Sequence, residues 1–330
     1  MGSYRCLVVS QADNGEINRD ISERAAPEVQ PGNVVVRVRY SSLNYKDALA
    51  ATGNRGVVRQ LPLVPGIDAA GEVLDAGDSD FQVGESVMVF HSSLGTERDG
   101  GYSELLEVPA GWVYRIPQTM SVRQVMVYGT AGFTAAQSID QLLAHQVSPD
   151  RGPIIVTGAT GGVGIFAVQM LSKLGFQVTA VTGKPEQHDR LIQLGASEIL
   201  DRRAVVDESK RPLLAGKWAG GIDTVGGETL ATVLRATRPG GCITACGLVG
   251  GVELPLTVYP FILRGVTLQG IDSAGISYEE RSRIWDRLAT EWAVADLDSL
   301  ASEVALEELE EPIEAILAGN IAGRVLVAVS

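Results

Sequence analysis

The chain has 330 residues, 45% hydrophobic and 20% charged, which is enough for about two domains with a core each. Its 27 basic and 40 acidic residues leave a formal charge of −13, which disfavours nucleic acid and anionic membrane surfaces as partners and leaves any anionic ligand dependent on a local basic patch. Three cysteines, Cys6, Cys242 and Cys246, make no disulfide framework and suit a reducing, cytoplasmic setting, while no apolar run nears the ~18 residues of a spanning helix.

The N-terminus lacks the basic-then-apolar layout of a signal peptide, and MGSYRC has Cys6 where a myristoylation site needs Ser or Thr. To about residue 120 the chain reads as short strands between turns: VVVRVRY (34–40), AGEVLDAG (70–77) and ESVMVF (85–90). From about 125 apolar runs alternate with helical segments, the mark of βαβ units and a parallel sheet. The runs are PIIVTG (153–158), QVTAVTG (177–183), SEIL (197–200), GIDTVG (221–226), GCITACG (241–247) and GVTLQGID (265–272), and six strands are what a dinucleotide-binding sheet contains.

Between the first two runs, Val163, Phe166, Ala167, Met170, Leu171 and Leu174 define one face of a helix that Gly175 caps. Pro185 opens the next helix and Gly195 closes it. Further on, Ser277 and Glu280 form a capping box ahead of Ile284, Leu288 and Trp292. EEPIEAILAG (310–319) reads as a last helix, and GRVLVAVS as a strand that rejoins the N-terminal β-region.

GATGGVG (158–164) sits where the first parallel strand turns into the first helix. The N–H groups and dipole of such a helix start attract phosphate, and glycines at 161, 162 and 164 remove the Cβ atoms that would block a pyrophosphate. An NAD-preferring fold places Asp or Glu ~20 residues on, to bind the ribose 2′-OH. Here that turn reads Thr182-Gly183-Lys184, with Arg202 and Arg203 after the third strand, so a 2′-phosphate, and hence NADPH, is expected. The plainer alternative for Lys184 is a solvated surface lysine.

PGIDAAGEV (65–73), GTAGFTAA (129–136) and GATGGVG, in that order across essentially the whole chain, resemble the medium-chain dehydrogenase/reductase superfamily. SSLNYKDALA (41–50), DGGYSE (99–104), MVYGTAGFTA (126–135), CGLVGG (246–251), YPFILRGV (259–266) and GIDS (270–273) narrow the likeness to its zinc-independent, quinone-oxidoreductase-like branch and to the NADPH-dependent acryloyl-CoA reductases. The resemblance implies an α/β protein: a GroES-like β-rich catalytic domain (1–123 with 273–330) and a Rossmann domain (124–272) with a doubly wound six-stranded parallel sheet. It also implies a homodimer.

Zinc-dependent members hold their metal with Cys and His, whereas this chain has Leu43 and Asn44 near the expected Cys, and Ile67 in place of the His. No cysteine cluster is present, and Cys242 and Cys246 lie on one predicted strand as core residues, so no metal is expected. A metal-free site requires an acceptor that is already electrophilic, such as an α,β-unsaturated thioester whose enolate hydrogen-bond donors can stabilise.

By the resemblance Tyr45 contacts NADPH, its phenol holding the cofactor or giving a proton, the alternative being a tyrosine packed in the interdomain cleft with a satisfied hydroxyl; Asn44 is a candidate to orient the substrate carbonyl, with the same alternative. The likeness also assigns Thr160, Gly161, Gly162, Val163 and Gly164 to the pyrophosphate. Thr182, Gly183, Lys184 and Arg202 go to the adenosine end, and Leu248, Ile262 and Ser273 to the nicotinamide side. Asn320 stands one place off the family's Asn-x-Ile-x-Gly-Arg pattern, which puts its cofactor contact in doubt.

Arg55 and Arg59 are candidates for the phosphates of CoA, or else solvated arginines. Of the histidines, His145 and His188 fall on predicted helices as surface residues, and His91 follows a strand. Three functions compete: reduction of acryloyl-CoA or a similar short 2-enoyl-CoA, reduction of quinones or enones, and non-enzymatic NADPH binding. In each the partner is a small molecule.

Overall fold

The chain begins as an antiparallel hairpin of β1 (Ser3–Gln11) and β2 (Ile17–Ala25), whose second strand, INRDISERA, is too polar to announce itself in the sequence. The structure is a computed structural model that describes residues 2–209 and 211–330. β3 (Asn33–Leu43) is followed by α1 (Tyr45–Ala51), then β4 (Asp68–Asp75), β5 (Ser86–Phe90), β6 (Leu105–Pro109), β7 (Val113–Arg115) and α2 (Val122–Ala144). Val34, Val36 and Val38 alternate inward along β3 and pack with Val73, Val87, Val89 and Leu106 in a single core. α1 interrupts the expected all-β texture, because Asn44 and Asp47 form a capping box ahead of the helix-favouring Ala48, Leu49, Ala50 and Ala51.

α2 is broken at Gly129 (φ 50°, ψ −158°), and there the chain leaves its first compact unit. That unit comprises residues up to Thr130 with Ala274–Ala289 and Asp296–Ser330; the second comprises Ala131–Ser273 with Thr290–Ala295. The first unit thus runs seven residues past the expected boundary at 123, which lies in the first turn of α2, and the chain changes units at the kink within that helix.

The second unit contains β8 (Ile154–Val156), α3 (Gly162–Lys173), β9 (Val178–Thr182), α4 (His188–Gln193), β10 (Ala196–Asp201), β11 (Trp218–Asp223), α5 (Gly227–Arg235), β12 (Thr237–Ala245), α6 (Tyr259–Arg264) and β13 (Thr267–Gly270). All five strand pairings are parallel, in the order β10-β9-β8-β11-β12-β13. This is the doubly wound arrangement expected, with the order reversing beside β8, and ligands of such sheets bind beyond the carboxyl ends at that reversal. The expected strand 221–226 ends at Asp223, because Asp223 turns back to bond the N–H groups of Val225 and Gly226. Cys242 is buried on β12 as expected, but Cys246 lies just past the strand with its thiol on the Asp223 carbonyl, so the two do not share a strand face.

The remaining elements return to the first unit: α7 (Tyr278–Ala289), capped by the Ser277 hydroxyl on the Glu280 N–H, then β14 (Ala301–Ala305), α8 (Glu310–Leu317) and β15 (Arg324–Ala328). β15 pairs with β3, as the sequence anticipates, and completes a sheet ordered β14-β15-β3-β4-β5-β7, with β6 also on β3. Among the described residues no helix is long and apolar enough to cross a membrane.

Candidate nucleotide site and buried polar network

Beyond β8 the chain turns through Thr157 and Gly158 into α3, whose N-cap is Gly161 with no side-chain cap. The N–H groups of Gly162, Val163 and Gly164 therefore open the helix without intrahelical acceptors. A Cβ at Gly164 would lie 2.3 Å from the Gly158 carbonyl oxygen and 2.6 Å from Ala159 Cα, so this turn is closed to any larger residue. Gly158 itself adopts φ 59°, and a Cβ there would meet the Thr224 hydroxyl at 2.2 Å. The result is a backbone cradle on the positive end of a twelve-residue helix, a fit for a pyrophosphate.

The carboxyl end of β9 completes this corner. Thr160 and Thr182, both buried, bring their hydroxyls to 3.3 Å, and Thr182 Oγ1 accepts the Lys184 N–H at 3.1 Å. Arg202 lies over Gly183, where a Cβ would meet its Nε at 2.5 Å, so Lys184 and Arg202 are neighbours across that glycine as the sequence suggested. Burial, with Arg202 adding to it, holds the Lys184 ammonium below its usual pKa. Arg203 points elsewhere, paired with Asp201, whose carboxyl it depresses to about 2. Leu248 and Ile262 expose 54% and 67% of their surface, and Ser273 is half-buried.

Behind the cradle stands a residue that the sequence reading passed over. Asp223, fully buried, accepts the Thr157 hydroxyl at 2.7 Å and the Gly226 N–H at 2.7 Å, joining the loops after β8 and β11.

In the first unit Tyr45 opens α1 half-buried, and its neighbour Asn44 is committed to a closed network. Asn44 Nδ2 donates to Asp47 Oδ2 at 3.0 Å and to Asp68 Oδ2 at 2.9 Å, and its Oδ1 accepts from Arg324 Nη1 at 3.2 Å. Its amide hydrogens are thereby spent, which corrects the expectation that Asn44 orients a substrate carbonyl. Asp68 also receives the Ser42 hydroxyl and the N–H and hydroxyl of Thr130. Asp47, Asp68 and Arg324 were not singled out from the sequence. Asp47 and Asp68 stood in quoted motifs, but only the Asn44-x-x-Asp47 spacing signalled a structural task.

Arg55 is exposed against Gln11, and Arg59 pairs with Glu97 at 2.8 Å. His91 stacks on Trp112 at 3.8 Å and accepts the Ser93 N–H, and His145 and His188 are half-buried. The exposed Asn320 uses its N–H to cap the Ala315 carbonyl.

Comparison with known proteins agrees with this architecture. The family described as alcohol dehydrogenase GroES-like domain matches residues 30–118, and the one described as zinc-binding dehydrogenase matches 162–290. The chain is 40% identical over 328 residues to acrylyl-CoA reductase AcuI of Ruegeria pomeroyi, covering 99% of each. It is 43% identical over 323 residues to YhfP of Bacillus subtilis, provisionally named a quinone oxidoreductase, covering 96% of this chain and 98% of YhfP. The chain belongs to the medium-chain dehydrogenase/reductase superfamily.

Two solved members of this superfamily superpose closely. Escherichia coli YhdH with bound NADPH has a TM-score of 0.94 at 43% identity, covering 98% of this chain and all of YhdH. Bacillus subtilis YhfP with NAD bound has a TM-score of 0.95 at 41% identity, covering 99% of this chain and all of YhfP. One family description names zinc, and the positions where the resemblance expects its ligands hold other residues. Asn44 is saturated by the network, Ile67 contributes only its backbone N–H to Asp47, and among the described residues no three His, Cys, Asp or Glu are grouped to hold a metal ion.

Proposed function

We propose that this superfamily member uses NADPH to reduce the C=C bond of acryloyl-CoA, or of a similar short 2-enoyl-CoA, to propanoyl-CoA or its homologue. One observation carries the reading. The cationic corner of Lys184 and Arg202 meets at Gly183 beside an uncapped glycine helix start, in a chain like AcuI along its whole length.

When bound, NADPH supplies a hydride for the acceptor's β-carbon. The N–H groups of Gly162, Val163 and Gly164 hold the pyrophosphate, and Lys184 and Arg202 take the 2′-phosphate by charge-assisted hydrogen bonds. Gly161, Thr160, Thr182 and Gly183 shape that corner, while Leu248, Ile262 and Ser273 line the nicotinamide side. Tyr45 either steadies the cofactor or delivers the proton to Cα. Arg55 and Arg59 are available to CoA phosphates, Arg59 by exchanging its exposed pairing with Glu97. The enzyme works as a cytoplasmic homodimer, a setting that suits its three free thiols.

Steady-state oxidation of NADPH and of NADH with acryloyl-CoA, crotonyl-CoA and a benzoquinone tests the reading. The expected order is acryloyl-CoA with NADPH first. The name of YhfP supports a second reading, quinone or enone reduction, and turnover with benzoquinone but with neither thioester would install it.

A further inference from the structure

Three ionisable side chains are buried together in the first unit: Asp47 and Asp68, each fully inaccessible, and Arg324, 3% exposed. With both carboxylates ionised this enclosure holds two negative charges against one positive, and burying a surplus charge costs free energy. Asp68 is the better compensated, with four hydrogen bonds and Arg324 Nη2 at 3.9 Å. Asp47 has no guanidinium contact, and donors alone surround it. Its Oδ1 takes the Ile67 N–H at 2.7 Å, and its Oδ2 takes the Asn44 N–H at 2.9 Å and the Asn44 amide at 3.0 Å.

A serine or a surface aspartate would cap a seven-residue helix at far lower cost. The feature that distinguishes this cap is the residue it brackets. Tyr45 lies directly after Asn44 and two places before Asp47, and its own hydroxyl makes no hydrogen bond among the described residues. The orientation of the phenol is therefore set through its backbone, and that backbone is held by the Asn44–Asp47 closure. Gly129 encloses the cluster: a Cβ there would lie 2.6 Å from both Asp68 Oδ2 and Ser42 Oγ and 2.9 Å from Arg324 Nη2, so the cage cannot loosen toward α2.

We propose that Asp47 is the positioning residue for Tyr45, acting as a carboxylate that locks the first turn of α1 to Asn44 and to the backbone of Ile67. The inference rests on the role given to Tyr45 above and deepens it. A proton on Asp47 would take the remaining lone pair of Oδ1, and the neutral carboxyl would accept the Ile67 and Asn44 N–H groups more weakly than the carboxylate does. The charged and titratable groups facing Asp47 are Asp68 from β4, Arg324 from β15 and Tyr102 from the segment between β5 and β6. Burial first, and Asp68 second, raise the Asp47 carboxyl to about 7, so the carboxylate form that makes these contacts predominates above neutral pH.

The test measures NADPH affinity by cofactor fluorescence, and kcat and KM for acryloyl-CoA, in wild type, Asp47→Asn, Tyr45→Phe and the double variant. Asp47→Asn is expected to lower kcat/KM on the order of tenfold, and to cost less than about twofold when Tyr45 is already Phe. An equal cost on both backgrounds overturns the proposal, as does a Tyr45→Phe variant indistinguishable from wild type.

Hydrogen exchange of wild type and Asp47→Asn at a single pH of about 8.5 reads the lock without any kinetics. The segment 43–51 should be better protected in wild type than in Asp47→Asn when each is compared with its own 162–173; equal relative protection of 43–51 overturns the lock. If wild type binds NADPH and shows the Asp47–Tyr45 coupling in affinity but leaves acryloyl-CoA unreduced, the choice of acceptor fails and the lock stands.

Discussion

Asp223 and Thr157 face each other across the ends of β11 and β8, the carboxylate accepting the threonine hydroxyl at 2.7 Å while that same hydroxyl accepts the Thr224 N–H at 3.0 Å. Burial raises the Asp223 carboxyl from its ordinary range against three hydrogen bonds that lower it, so the group is kept for its acceptors and not for exposed charge. Asp223→Ala leaves the Thr157 hydroxyl and the Val225 and Gly226 N–H groups without an acceptor. It should destabilise the protein by about 2–4 kcal/mol in urea unfolding and weaken NADPH binding in step. Thr157→Val, which removes one donor, should cost about 1–2 kcal/mol. A stability loss without any loss of nucleotide affinity would separate the hub from the cradle.

On the proposed reading, selection of the nucleotide depends on Lys184 and Arg202. Charge-assisted hydrogen bonds to the 2′-phosphate contribute about 1.5–3 kcal/mol each, so Arg202→Ala should reduce the NADPH-over-NADH ratio of kcat/KM on the order of 10- to 100-fold. Lys184→Asp should go further, because a carboxylate there repels the phosphate and accepts from a 2′-OH. NADH kinetics should stay within about twofold for Arg202→Ala. An unchanged ratio in both variants removes the cationic corner from nucleotide choice.

The parallel sheet was readable because each strand is an apolar run punctuated by glycine, and the glycine loop because its context was a strand before and a helix after. The β1–β2 hairpin was not, since INRDISERA lies on a sheet of only two strands and has no buried residue, so no apolar period marks it. Arg202 lies over Gly183, next to Lys184, because the two follow the carboxyl ends of adjacent parallel strands, β10 and β9. Sequence reasoning erred where polar residues are buried: Asn44 looked like a substrate donor because its partners Asp68 and Arg324 are 24 and 280 residues away. A charged residue in a motif does not disclose that another charge lies against it.

Gly164 tests whether the tightness of the cradle serves the ligand or only the fold. A Cβ at this position would press on the Gly158 carbonyl and on Ala159 Cα, both backbone atoms that cannot yield as a flexible side chain would. Gly164→Ala should cost about 1–3 kcal/mol in stability and lower NADPH affinity at least on the order of tenfold, because the turn that aims the helix N–H groups must open. Isothermal titration with NADPH beside thermal melts reads both. Full affinity in a destabilised variant would show that the cradle tolerates the shift.

The pH dependence of stability follows from Asp47 with a definite sign. Its carboxyl titrates at about 7 in the folded chain against an ordinary 3.8, raised by burial first and by Asp68 second, so between those values the native state holds a proton that the unfolded state has released. Stability from this group is therefore fully present below about pH 4 and is lost as pH rises through about 7, by a few kcal/mol at most. Asp47→Asn cannot titrate. Wild type should thus lose stability relative to the variant as pH is raised from about 5 to about 9, by roughly 1–3 kcal/mol in urea unfolding. Comparing the two chains cancels the contributions of Asp201 and Asp223, which titrate alike in both. A difference that stays flat across this range means that Asp47 is ionised throughout, and that its hydrogen bonds from Ile67 and Asn44 outweigh its burial beside Asp68.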